Sequence, residues 1–76
     1  MNIVMIQKNL VAARGEKTQG EVAKDLGISV SALSMYETGG RIPRDEVKEQ
    51  LAQYYNTTVG ALFFGEKVHE TRTAQG

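Results

Sequence analysis

TQGEVAKDLGISVSALSMYETG, Thr18 to Gly39, is the stretch whose reading decides the fold. Thr18 is placed to cap the free amides of a helix, and Glu21, three residues later, completes a capping box. Val22, Ala23 and Leu26 form the inner stripe of that helix, and Gly27 ends it. Ser29 caps a second helix running from about Val30 to Glu37, and Thr38-Gly39-Gly40 then breaks the chain. A turn as tight as the one at Gly27 brings the two helices together at a steep angle, which needs a small residue near the crossing. Ala23 supplies it. Val22, Leu26, Ile28, Leu33 and Tyr36 are expected to fill the shared interior. The second helix turns Ala32, Leu33 and Tyr36 to one face. Ser31, Ser34 and Met35, all small or neutral, lie on the other.

Outward from this pair, the chain reads as helix throughout. Ahead of it, Ile3, Ile6, Leu10 and Ala13 recur at spacings of three and four, one stripe of a helix from about Asn2 to Arg14, with Gly15 as its stop. Val4 and Val11 fall off that stripe and are expected to be partly exposed. Behind the pair, Pro43 stands beside a helix start, and Asp45 and Glu46 suit the positive end of its dipole. Val47, Leu51, Ala52 and Tyr55 give that helix its inner face, and Asn56 stops it. Thr57 or Thr58 caps a short fifth helix, Val59 to Phe63. In each of the pairs Tyr54-Tyr55 and Phe63-Phe64, two adjacent rings cannot both point inward, so one of each is expected to be partly exposed. The sequence thus predicts an all-α bundle of five short helices over residues 1–64. It adds a polar, flexible tail over residues 65–76, which holds too few apolar residues to fold alone.

The totals exclude several classes of function. Seventy-six residues make one domain with a single small core, and domains of this size often add disulfides, a metal or a partner subunit. Cysteine is absent and His69 is the one histidine, so disulfides and metal sites drop out and a partner subunit remains. No cofactor is expected. Nine basic residues balance nine acidic ones, so nucleic-acid binding has to rest on an asymmetric arrangement of charge. No apolar run is long enough for a membrane span or a signal peptide, which predicts a cytoplasmic protein. Each serine would need a nearby base to act as a nucleophile, and the histidine sits in the tail. TGGRIPR, Thr38 to Arg44, lacks the ending of a phosphate-binding loop, and Asp45 and Glu46 are helix-start acids. No enzyme is expected.

Two helices joined by so tight a turn are a helix-turn-helix, whose second helix is held out to enter a groove of DNA. The ordered set Thr18-Gln19, Val22-Ala23, Leu26-Gly27-Ile28-Ser29, Leu33-Ser34, Glu37 with Gly39, Pro43 and Val59 to Phe63 resembles the Cro/phage-repressor (XRE-type) helix-turn-helix family of bacterial and phage DNA-binding proteins. The resemblance spans about Ile6 to Phe64 and implies a lambda-repressor-like bundle. It implies that Gln19 bonds backbone phosphate and braces base-reading side chains. It also implies that Val30, Ser31, Ser34 and Met35 face outward from the recognition helix, and that Thr38 and Arg41 lie at a loop touching phosphate. Lys24 and the helix starts at Thr18 and Ser29 complete the candidate DNA-binding set. The family commonly places an arginine with five residues between it and the TQ pair, where this chain has Ala12. Here the arginine is Arg14, with three residues between, so the intervening loop is shorter. In the family that arginine often pairs with the glutamate matching Glu37, which implies an Arg14–Glu37 ion pair.

The expected function is a sequence-specific transcriptional regulator, a repressor of phage, mobile-element or bacterial type. It would bind double-stranded DNA as a homodimer on a palindromic operator, with dimer contacts from Val59, Phe63 and Phe64. The outer face of the recognition helix lacks arginine, lysine, asparagine and glutamine, which leaves serine hydroxyls and the apolar Val30 and Met35 to read bases, with a preference for thymine. The alternative is a protein-interaction module of the same fold, an antitoxin or antirepressor acting on a protein partner through Met35 or the tail.

Overall fold

A computed structural model describes residues 2–66. They form α1 (Ile3–Arg14), α2 (Gln19–Leu26), α3 (Val30–Thr38), α4 (Asp45–Tyr54) and α5 (Val59–Phe64), with no strand among them. The helix starts follow from local chemistry. Asn2 Oδ1 accepts from the Met5 amide, so Asn2 caps α1 and is not its first residue. Thr18 Oγ1 accepts from the Glu21 amide while Glu21 Oε1 accepts from the Thr18 amide, the reciprocal capping box expected there. Ser29 Oγ accepts from Ala32, and Thr58, not Thr57, caps α5 by accepting from Ala61. α4 starts without a side-chain cap, behind a buried Pro43 and with Asp45 and Glu46 in its first turn. Asn56, at φ 63°, takes the left-handed conformation that ends the α4 segment.

Between α2 and α3 the chain reverses in Gly27, Ile28 and Ser29. Gly27 is left-handed at φ 72°, and its amide turns back onto the carbonyls of Ala23 and Lys24. The Ile28 amide follows onto Ala23 O at 3.0 Å. α1 packs on α3 and α5, α2 on α3 and α4, and α4 on α5. Phe63, Ile6, Leu10, Leu33, Leu51 and Val22 are the largest fully buried side chains, joined in one core by Ala23, Tyr36, Ala52 and Leu62. Leu26, Ile28, Val47 and Tyr55 pack against its margin.

One expectation about the core needs correction, and two covered polar residues were not expected. The α1 stripe is narrower than its spacing suggests: Ile6 and Leu10 are buried, but Ile3 is 43% exposed and Ala13 is exposed as well. Ile3 lies beside Gly39, which has no side chain to cover it. Asn9, polar and unremarked in the sequence, is part-buried because its Nδ2 donates to the carbonyls of Ala61 and Leu62. Those carbonyls belong to the last turn of α5, where a helix has no internal partner for them. Lys48 is also largely covered. Its ammonium lies 5.8 and 5.6 Å from the ring centres of Phe63 and Phe64 and 3.7 Å from Asp45 Oδ1. The expected exposure of one ring per pair holds for the phenylalanines, with Phe63 enclosed and Phe64 51% exposed. The tyrosines are both half-buried at the margin of the core, edge to face with ring centres 5.3 Å apart. Gly65 and Glu66 close α5, the Glu66 amide bonding Gly60 O. The remainder of the expected tail, residues 67–76, lies outside the described residues.

Candidate nucleic-acid interface

One carboxylate pins α3. Glu37, near the end of α3, keeps only 3% of its side chain exposed. Arg14 Nε donates to its Oε2 at 2.8 Å and Arg14 Nη2 to its Oε1 at 3.1 Å, a two-pronged pair of the kind a guanidinium makes best. Gln19 Nε2 donates to the same Oε1 at 2.9 Å. Arg14 Nη1 reaches the carbonyl of Lys17 at 2.7 Å. The end of α1, the α1–α2 loop, the first turn of α2 and the last turn of α3 therefore meet on Glu37. The pairing raises the Arg14 guanidinium above its ordinary range, first through the hydrogen bonds to Glu37. At the other side of the same turn, Gln7 Nε2 donates to Thr38 O and ties the end of α3 back to α1.

Gln19 thus spends one amide hydrogen inside the protein and retains a second hydrogen and its carbonyl oxygen for a ligand. Thr18 and Ser29 are engaged as caps through their hydroxyls. The outward residues of α3 form one continuous face. At 3.6 residues per turn, Val30, Ser34, Thr38, Ser31 and Met35 follow one another, in that order, across about 140° of the helix. Val30 and Met35 stand at the two flanks, 48% and 41% exposed. Ser31 and Thr38 are exposed and Ser34 is half-buried. Met35 lies along Gly40, where an added Cβ would stand 3.7 Å from its Cε. The one charged residue of α3 is Glu37, buried and paired, so the outer face carries no charge.

Exposed basic residues stand on the elements before and after α3. Lys24 is exposed on α2, Arg41 on the loop after α3, and Arg44 at the start of α4. None of them takes part in the two ion pairs among the described residues, Arg14–Glu37 and Lys48–Asp45. Arg41 and Arg44 line one small cleft together with Tyr36 and Ile42. Arg44 was not singled out by sequence reasoning. The signal was the spacing Arg41-Ile42-Pro43-Arg44, in which a buried proline fixes the loop that carries both arginines.

The residues expected to form dimer contacts separate. Phe63 is 0% exposed, so its ring belongs to the core and has no surface to offer a second subunit. Phe64 and the half-buried Val59 remain, lining a shallow groove with Asp45, Lys48 and Glu49.

The helix-turn-helix family model matches residues 11–62, from within α1 into α5. The chain belongs to the helix-turn-helix family of XRE and Cro-repressor type, a family of DNA-binding regulators. No curated protein and no solved structure matches the chain. Among the described residues no helix is long and apolar enough to cross a membrane, and no group of three or more His, Cys, Asp or Glu is placed to hold a metal.

Proposed function

We propose that this protein is a cytoplasmic, sequence-specific transcriptional repressor that binds a palindromic operator as a homodimer. α3 enters the major groove in each half-site, the half-sites being roughly 34 Å apart. The observation that carries the reading is the exposed, uncharged outer face of α3, held in place by the Glu37 bonds. Lys24, Arg41 and Arg44 hold the phosphates beside it, Thr38 and the free hydrogen of Gln19 add neutral contacts, and Thr18 and Ser29 bring the amides of two helix starts to the backbone. Val30, Ser31, Ser34 and Met35 face the bases. Occupation of promoter DNA gives repression. Phe64 and Val59 supply the subunit contact.

The test is duplex binding, read by fluorescence anisotropy across a salt series. Each neutralised phosphate contributes about −0.9 to the slope of log K against log salt, so three cations in each of two subunits predict a slope of about −5. Arg41→Ala should reduce that magnitude by about 2 in the dimer and weaken all sequences alike. A slope near zero on every duplex overturns the reading.

A further inference from the structure

The outer face of α3 has an unusual chemistry for a surface that reads bases. Sequence discrimination in the major groove ordinarily rests on fixed patterns of donors and acceptors, supplied by arginine, lysine, asparagine, glutamine or a carboxylate. None of these stands on this face. What it offers is two apolar side chains at the flanks, Val30 and Met35, and three hydroxyls between them, Ser31, Ser34 and Thr38. A hydroxyl donates or accepts by rotating, so it fits the O4 acceptor of thymine and the N4 donor of cytosine alike. The hydroxyls therefore do little to tell these two pyrimidines apart. The apolar flanks do respond to a difference: thymine carries a methyl group at C5 and cytosine does not. Val30 is stiff about its single side-chain torsion and presents a preset surface. Met35 is long and polarizable and lies along Gly40, where no side chain obstructs it.

Resting on the DNA-binding reading above, we infer that α3 recognises the C5-methyl groups of pyrimidines as its main base-specific signal. In consequence 5-methylcytosine stands in for thymine, and methylation of cytosine strengthens or creates binding sites. The ligand class is a C5-methylated pyrimidine in duplex DNA. Val30 and Met35 are the residues that sense it, and the hydroxyls adapt to whichever edge accompanies the methyl.

The experiment uses the full chain and a duplex that the protein itself selects from a random pool. Each thymine of a half-site is replaced in turn by deoxyuridine, which removes the methyl and leaves every hydrogen-bonding group in place. At the positions facing α3, affinity should fall about fourfold for each methyl, the value of burying one such group. At the same positions, replacing the base pair with a cytosine–guanine pair should weaken binding, and 5-methylcytosine should recover about fourfold over cytosine. Val30→Ala should erase the thymine–uracil difference at one position and Met35→Ala at another. Equal affinity for thymine and uracil at every position of a tightly bound duplex overturns the inference and leaves the DNA-binding reading standing. Cytosine binding as well as 5-methylcytosine throughout overturns it equally. Failure to bind any duplex overturns both.

Discussion

Glu37 accepts three N–H bonds in a site that water barely reaches, two from Arg14 and one from Gln19. Removing the carboxylate strands its donors. Glu37→Ala should therefore destabilise the protein by about 3 kcal/mol, the low end for a broken buried pair, because Arg14 keeps 20% of its side chain exposed. The urea midpoint measures it, with the slope of the transition unchanged. Gln19→Ala removes one hydrogen bond to a charged group, and a loss of about 1.5 kcal/mol is expected in the same assay. Tyr55 is the opposite case. Its hydroxyl is buried without a hydrogen-bond partner, so Tyr55→Phe should be neutral or stabilising by up to about 1 kcal/mol. Burial pushes the Tyr55 hydroxyl from 10.0 up to about 12, and the bond to Asp25 does the same for Tyr54. Both folded values lie above the unfolded one. Their contribution to stability is thus complete below pH 10.0 and is lost as pH rises toward 12, and a pH series of melting temperatures reads that loss. Tyr55→Phe should shrink it. Of these residues the sequence revealed Glu37 and Arg14 through the family resemblance. Gln19's bond to Glu37 stayed hidden, since it joins residues 18 apart and depends on how the helices cross.

Two glycines end α2 and α3, and they differ in a way that only the packing reveals. Gly27 is left-handed with nothing within 4 Å of an added Cβ, so Gly27→Ala meets backbone strain alone and should cost about 1 kcal/mol. Gly39 is left-handed too, at φ 85°, but an added Cβ would meet Gln7 Nε2 and stand 2.8 Å from Ile3 Cγ2. Gly39→Ala should cost at least about 1 kcal/mol more than Gly27→Ala and loosen the Gln7 bond to Thr38 at the end of α3. Thermal melts of the two variants compare them directly. At this scale most of the structure was legible, because caps, stops and helical stripes are local. Thr18 with Glu21, Ser29 and Gly27 all act within one turn of themselves. The misses are long-range. Asn9 is held by carbonyls 52 and 53 residues away, Lys48 is covered by α5, and Ile3 stays partly exposed because its neighbour Gly39 has no side chain.

For the molecule as a whole, nine basic and nine acidic residues leave no net charge, yet the arrangement is uneven where it matters. Arg14 is consumed by Glu37, whereas Lys24, Arg41 and Arg44 form no ion pair among the described residues. The composition hid the meeting of Arg41 and Arg44, which line one cleft only once the loop after α3 has folded. The proposed subunit association rests on the half-exposed Phe64. Phe64→Ser should shift sedimentation equilibrium toward monomer and weaken binding to two-half-site DNA more than to a single half-site. An unchanged mass at all concentrations places the contact elsewhere. Whether α3 reads duplex DNA is decided by selecting bound duplexes from a random pool with the intact chain. An enriched two-fold sequence should emerge, with thymines in each half-site and centres about one helical turn apart. A pool that stays unenriched through successive rounds, with binding indifferent to salt, would contradict it.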